Sequence, residues 1–216
     1  MMVATMIRTL KVFVAILLCL AVISLVQNLR DIFPELREYS IAREQYRTLR
    51  EAVLPHAQPS SEPQDSRRGI DFDALLAINP DVVGWIEIVG SDISYPVVQT
   101  QDNSHYLNHT FEGHRNRSGA IFLDRRDNSD FLSLARVYGH NMRDGSMFGT
   151  LSDWQGDKII IHTLYARYEF SVIERVMMSE PQVQRLADSF GSLALITCVS
   201  NRRNFRYIVF AEIVRG

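Results

Sequence analysis

Apolar residues follow three patterns along the chain. From Val12 to Val26 they are continuous, Val-Phe-Val-Ala-Ile-Leu-Leu-Cys-Leu-Ala-Val-Ile-Ser-Leu-Val, with Ser24 the single break. With Leu10 and Leu29 this run approaches the roughly 20 residues that a helix needs to cross a hydrocarbon core. From Asp31 to Val53 the spacing becomes helical, with Leu36, Tyr39, Tyr46, Leu49 and Val53 near one face. Asp31 is placed to cap that helix, and Pro34 suits its first turn. Pro55 to Gly69 sets Pro55, Pro59 and Pro63 among Ser, Gln and Asp and predicts a linker. Asp71 to Ile78 predicts a short helix with Phe72, Leu75, Leu76 and Ile78 apolar, stopped by Asn79-Pro80.

Beyond that point the apolar runs are short and β-prone, separated by Gly, Asp, Asn and Ser. They are Trp85–Val89, Ile93–Val98, Ala120–Leu123, Ala135–Tyr138, Lys158–Thr163, Tyr168–Arg175, Leu193–Cys198 and Arg206–Val214. Met147, Phe148 and Leu151 predict a short helix capped by Asp144 or Ser146. Pro181 to Phe190 predicts another, with Val183, Leu186 and Phe190 on one side. Eight strands with so few helices between them predict a mainly β fold, a closed or half-closed barrel and not a doubly wound sheet. Peripheral helices are short, and the transmembrane and juxtamembrane helices precede the barrel.

Composition narrows the function. With 216 residues the chain allows one membrane segment and one core-forming domain. The chain is expected to divide into a cytoplasmic stub and anchor over 1–29, a juxtamembrane helix and linker over 30–69, and the β-rich domain over 70–216. A net charge of -2 and no basic stripe give no sign of a nucleic-acid binder. Arg8 and Lys11 precede the apolar run, whereas Arg30 and Arg37 on its far side are mixed with Asp31, Glu35 and Glu38. The positive-inside rule then puts the N-terminus in the cytoplasm and the remainder outside, as a single-pass protein. Around Val22 to Gln27 there is no small-x-small cleavage pattern, so the run reads as an anchor and not a removable signal. Cys19 lies mid-segment after the large Leu18, which does not suit a lipoprotein cysteine, and it reads as a small apolar residue.

That leaves Cys198 as the one thiol outside the apolar run, too few for a disulfide framework. It ends the β-prone run Leu193-Ala-Leu-Ile-Thr-Cys198. His140 follows another such run, and Arg206 opens a third. A thiol, an imidazole and a guanidinium at strand ends are the parts that acyl transfer through a thioester needs. A cation beside the thiol favours the thiolate. An imidazolium can protonate a leaving amine, and a guanidinium or backbone N–H groups can hold the oxyanion. Residue type alone does not select among them. A strand-end cysteine can be core filler. His105, His109, His114 and His162 compete with His140, and Arg202 and Arg203 compete with Arg206. Chain order disfavours a papain-like protease, in which the cysteine comes first. There is no G-x-S-x-G elbow and no H-E-x-x-H pattern around His109 and His114, so no metal or cofactor is expected. Asn108-His-Thr110 and Asn116-Arg-Ser118 fit the glycosylation pattern and are read as chance matches.

The chain resembles the sortases, class B in particular. The stretches that carry the resemblance run in order: Gly84-Trp-Ile86, Tyr95-Pro-Val-Val-Gln99, Asp102-Asn103, His105-Tyr-Leu-Asn108, Gly119-Ala-Ile-Phe-Leu-Asp124, Val137-Tyr-Gly-His-Asn-Met-Arg-Asp-Gly-Ser-Met-Phe148 and Leu195-Ile-Thr-Cys198, with Arg206 after them. The resemblance implies an eight-stranded sortase-like barrel outside the membrane of a Gram-positive bacterium. It implies a cysteine transpeptidase that cleaves a sorting signal of a secreted protein after Thr and holds the product as a thioester. The acyl group then passes to an amine of a cell-wall precursor or a pilin lysine. On the matching positions, Cys198 is the nucleophile, His140 the general acid and Arg206 the stabilising arginine, while Asn103, Leu107 and Thr197 line the peptide groove. The alternatives are a catalytically silent surface-binding domain with the same fold, or a thiol hydrolase that releases its acyl group to water. Ala194 and Ile196 depart from the family pattern, and the Arg175–Leu193 segment is shorter than the helical insertion usual in class B.

Overall fold

In a computed structural model of the protein, the described residues are 2–54, 69–186 and 193–214. The expected linker falls almost wholly outside them. A helix, α1, runs over Met2–Val53. It continues through Pro34, where the sequence suggested a start at Asp31, because one proline removes a single backbone hydrogen bond from a long ladder. Among the described residues α1 is the one helix long and apolar enough to cross a membrane, with the window at Phe13–Arg30. Two compact units divide at Ile41 and Ala42.

The second unit holds the barrel together with the last turns of α1. Ala42, Tyr46, Leu49 and Val53 are buried. Their spacing of three and four residues places them on one helix face. Helix α2, Phe72–Ile78, is capped by Asp71, whose side chain accepts from the Ala74 N–H at 2.9 Å.

Eight strands follow: β1 Val82–Ile88, β2 Ser94–Val98, β3 Ile121–Leu123, β4 Ala135–Tyr138, β5 Lys158–His162, β6 Arg167–Ser179, β7 Leu193–Val199 and β8 Arg202–Ile213. They close in the order β1-β2-β3-β4-β7-β8-β6-β5. The β2/β3 and β4/β7 pairs are parallel and the others antiparallel. Central strands such as β3 and most of β7 are buried throughout, which explains their unbroken apolar runs. Closure leaves no sheet edge to satisfy.

The segment around Met147 is not a helix. Gly145 and Met147 have φ of +82° and +54°, and the chain advances by turns such as Gly145 N–H to Met142 O and Gly149 N–H to Ser146 O. The Asp144 carboxylate accepts from the Ser146 N–H and hydroxyl, which favours the turn over a helical ladder. After β6 comes α3, Glu180–Gln184, with a Ser179/Gln182 capping box. It ends earlier than the sequence suggested, and residues 187–192 lie outside the described chain.

Candidate active site

Tyr138 of β4 pairs in register with Ile196 of β7, and Cys198 pairs with Arg206 of β8. Strand geometry therefore brings three distant stretches to one end of the barrel. His140 lies two residues past Tyr138, and Cys198 lies two past Ile196, so the two leave neighbouring parallel strands at the same level. A cleft of about 190 Å³ opens there, lined by His140, Cys198 and Arg206 and also by Asn103, Leu107 and Thr197. All six residues singled out in the sequence meet at it. Arg202 and Arg203 do not line it.

Cys198 is an exposed free thiol, whereas Leu193 to Thr197 before it are buried. Its register breaks immediately afterwards, with Val199 opposite Arg202. Residues 203–205 therefore bulge from β8 with their backbone unpaired to β7. Two of the carbonyls there are used by Arg206, whose Nη1 donates to Arg203 O at 2.8 Å and to Phe205 O at 3.1 Å. Its Nη2 donates to Glu180 Oε2 at 3.0 Å. The guanidinium is thus fixed from two sides, with its Nε–H and one Nη2–H unspent.

His140 Nε2 lies 2.8 Å from Leu107 O. A carbonyl only accepts, so Nε2 carries a proton and Nδ1 is the nitrogen whose protonation can change. Gly139 sits in the turn because a Cβ there would fall 2.5 Å from Ile121 and 2.7 Å from Phe148. Thr197 is 2% exposed, and its hydroxyl donates to Gly139 O at 2.8 Å. Gly139 N–H in turn donates to Ile196 O. Asn141 Nδ2 donates to Cys198 O at 2.9 Å. Three hydrogen bonds therefore tie the histidine turn to the strand end that carries the thiol.

Leu107 contributes both a half-exposed side chain and the carbonyl that holds His140. The Asn103 carboxamide oxygen accepts from Arg125 N–H at 2.8 Å, so it also fixes a loop. The apolar wall is built from Leu107, Val183, Ile196 and the stacked rings of Phe122 and Tyr138, whose centroids lie 5.3 Å apart. Ile196 is buried there, and Ala194 packs in the core with Leu134 and Phe210.

Sequence reasoning assigned no role to Asn141 or Glu180. Asn141 lay inside a motif but acts through a pairing 57 residues away. Glu180 carries no local signal at all. Among the described residues no cluster of three or more His, Cys, Asp or Glu could hold a metal ion.

A family model described as the sortase domain matches residues 86–214. Sortase B of Listeria monocytogenes is 39% identical over 94 residues, 43% of this chain and 38% of that protein. Sortase B of Staphylococcus aureus is 38% identical over 109 residues, 47% of this chain and 45% of its own length. The matched stretches thus span less than half of these curated relatives. Sortase B from Bacillus anthracis, solved in complex with AAEK1, superposes with a TM-score of 0.65 at 25% identity, covering 84% of this chain and 100% of that one.

Proposed function

The chain belongs to the sortase family and resembles its class B members, and from that premise we propose that it is a membrane-anchored cysteine transpeptidase. Its substrate is the C-terminal sorting signal of a secreted protein, cleaved after Thr. Its acceptor is an amine of a cell-wall precursor or a pilin lysine. The helix at Phe13–Arg30 supplies the anchor, with the N-terminus cytoplasmic and the barrel outside.

One observation carries the reading: Cys198, His140 and Arg206 line the same cleft, and Cys198 is exposed at its mouth. In the proposed cycle the Cys198 thiolate attacks the Thr carbonyl. The oxyanion is met by the unspent N–H groups of Arg206. The C–N bond breaks as His140 gives a proton from Nδ1 to the departing amine, and a thioester remains. The incoming amine then attacks the thioester, returns its proton to His140 and releases the thiolate. Leu107 O keeps the imidazole in one orientation, and Glu180 and the β8 bulge hold the guanidinium. The apolar wall gives the signal a surface to bury, while the buried Thr197 hydroxyl is engaged within the protein and acts by alignment.

A peptide-library cleavage screen with a glycine peptide as added amine tests the reading. Cleavage that Cys198→Ala abolishes, with product diverted to the amine, supports it. Product that remains all acid points to a hydrolase, and absence of cleavage across the library points to a binding domain.

A further inference from the structure

Three contacts reach from the last turns of α1 to the two loops that hold His140. The first is through Tyr46, which is 3% exposed. Its hydroxyl donates to Gly119 O at 2.9 Å and accepts from Phe111 N–H at 3.1 Å. Gly119 has φ of +59°, and a Cβ there would lie 3.1 Å from both His140 Cδ2 and Leu107 O. The backbone that Tyr46 fixes is therefore wedged against the imidazole and against the carbonyl it bonds.

The second contact reaches the turn that follows His140. The Tyr46 and Tyr95 rings meet edge to face with centroids 5.3 Å apart. The Tyr95 hydroxyl accepts from Met147 N–H at 3.2 Å, and the next residue's N–H, that of Phe148, donates to His140 O at 2.9 Å. The third is Arg43, whose Nη2 donates to Asp144 O and Oδ2, both at 3.1 Å, in the same turn. Burial pushes the Tyr46 hydroxyl above the usual phenol range, so it remains a donor across the pH range of the reaction.

We propose that the end of the juxtamembrane helix is a positioning element for His140, acting through Tyr46 on the Gly119 side and through Tyr95 and Arg43 on the turn side. The proposal rests on the reading of His140 as the acid–base group. Tyr46 touches no reacting atom; it sets where the ring and its acceptor sit. Small displacements of such a group slow chemistry without altering how substrate binds.

The test uses the full chain in detergent micelles and compares the parent with Tyr46→Phe, Arg43→Gln, His140→Asn and Arg47→Gln. Among the described residues Arg47 pairs with Glu44 and Glu51 of its own helix, and it serves as the control. Tyr46→Phe keeps the ring and loses both hydrogen bonds. It is expected to lower kcat on the order of tenfold with KM within about twofold. It is also expected to move the His140 Cδ2–H resonance. Arg43→Gln shows the same signs more weakly and covers the case in which Tyr46→Phe fails to fold. Parent-like kcat and an unmoved resonance in both variants overturn the positioning role while leaving the function reading intact. Full activity in His140→Asn overturns both. The resonance needs no identified substrate, so an unmoved signal counts against the proposal in every case.

Discussion

The role we propose for Arg206 rests on the strands beside it. Three arginines stand within five residues; strand parity could not choose among them, because it depends on which face Cys198 shows, and it was the family resemblance that pointed to Arg206. Register supports that choice: Arg206 is opposite Cys198, and the bulge that precedes it turns two carbonyls onto its guanidinium. Cys198 was legible as the one thiol outside the apolar run, and His140 became legible among six histidines through the motif that carries the resemblance. Asn141 and Glu180 were not, because their roles exist only through pairings across the fold. Arg206→Ala is expected to lower kcat/KM by about 3–4 kcal/mol of transition-state stabilisation. Arg202→Ala and Arg203→Ala should stay near the parent. Comparable losses at all three, measured as kcat/KM on one peptide, would contradict the assignment.

At the level of elements, strand positions were readable and ends less so. Buried strands announce themselves by unbroken β-branched and aromatic runs, whereas β6 and β8 extend into exposed stretches where no pattern is enforced. The turn after His140 imitated a helix because Met147, Phe148 and Leu151 are all buried, yet positive φ at Gly145 and Met147 excludes one. The β3–β4 connection behind the cleft depends on Asp124, whose side chain is fully buried. Burial alone would raise its pKa, but hydrogen bonds from Arg126 overcome that and hold it at about 2, below the ordinary 3.8. A depressed carboxylate adds stability above its ordinary pKa, and that stability is lost as pH falls through the folded value. The parent should therefore be more heat-stable than Asp124→Asn at pH 6, and the gap should close between about pH 4 and pH 2. A gap in melting temperature that stays constant over that window would show that Asp124 acts by shape and not by charge.

For the whole molecule, hydropathy predicted an apolar run, a linker and a β-rich region; a helix covers the first and the barrel the last, and the linker lies almost wholly outside the described residues. What hydropathy could not give was the partner of the second helical stretch. Its period marked an apolar face, but only the fold puts Ala42, Tyr46, Leu49 and Val53 within the compact unit of the barrel. The compact unit that holds the barrel therefore begins at Ala42, ahead of the β-rich region, and on our proposal the tether and the chemistry share a helix. The central claim is that the thiol at the cleft becomes acylated by the sorted chain. Intact-mass spectrometry of the full protein mixed with a cleavable sorting-signal peptide, quenched in acid, reads that directly. The account predicts an adduct equal to the peptide fragment ending in Thr, released by hydroxylamine, mapped to Cys198 and absent from Cys198→Ala. Cleavage of the peptide with no adduct in the parent, or an adduct that persists in Cys198→Ala, would contradict it.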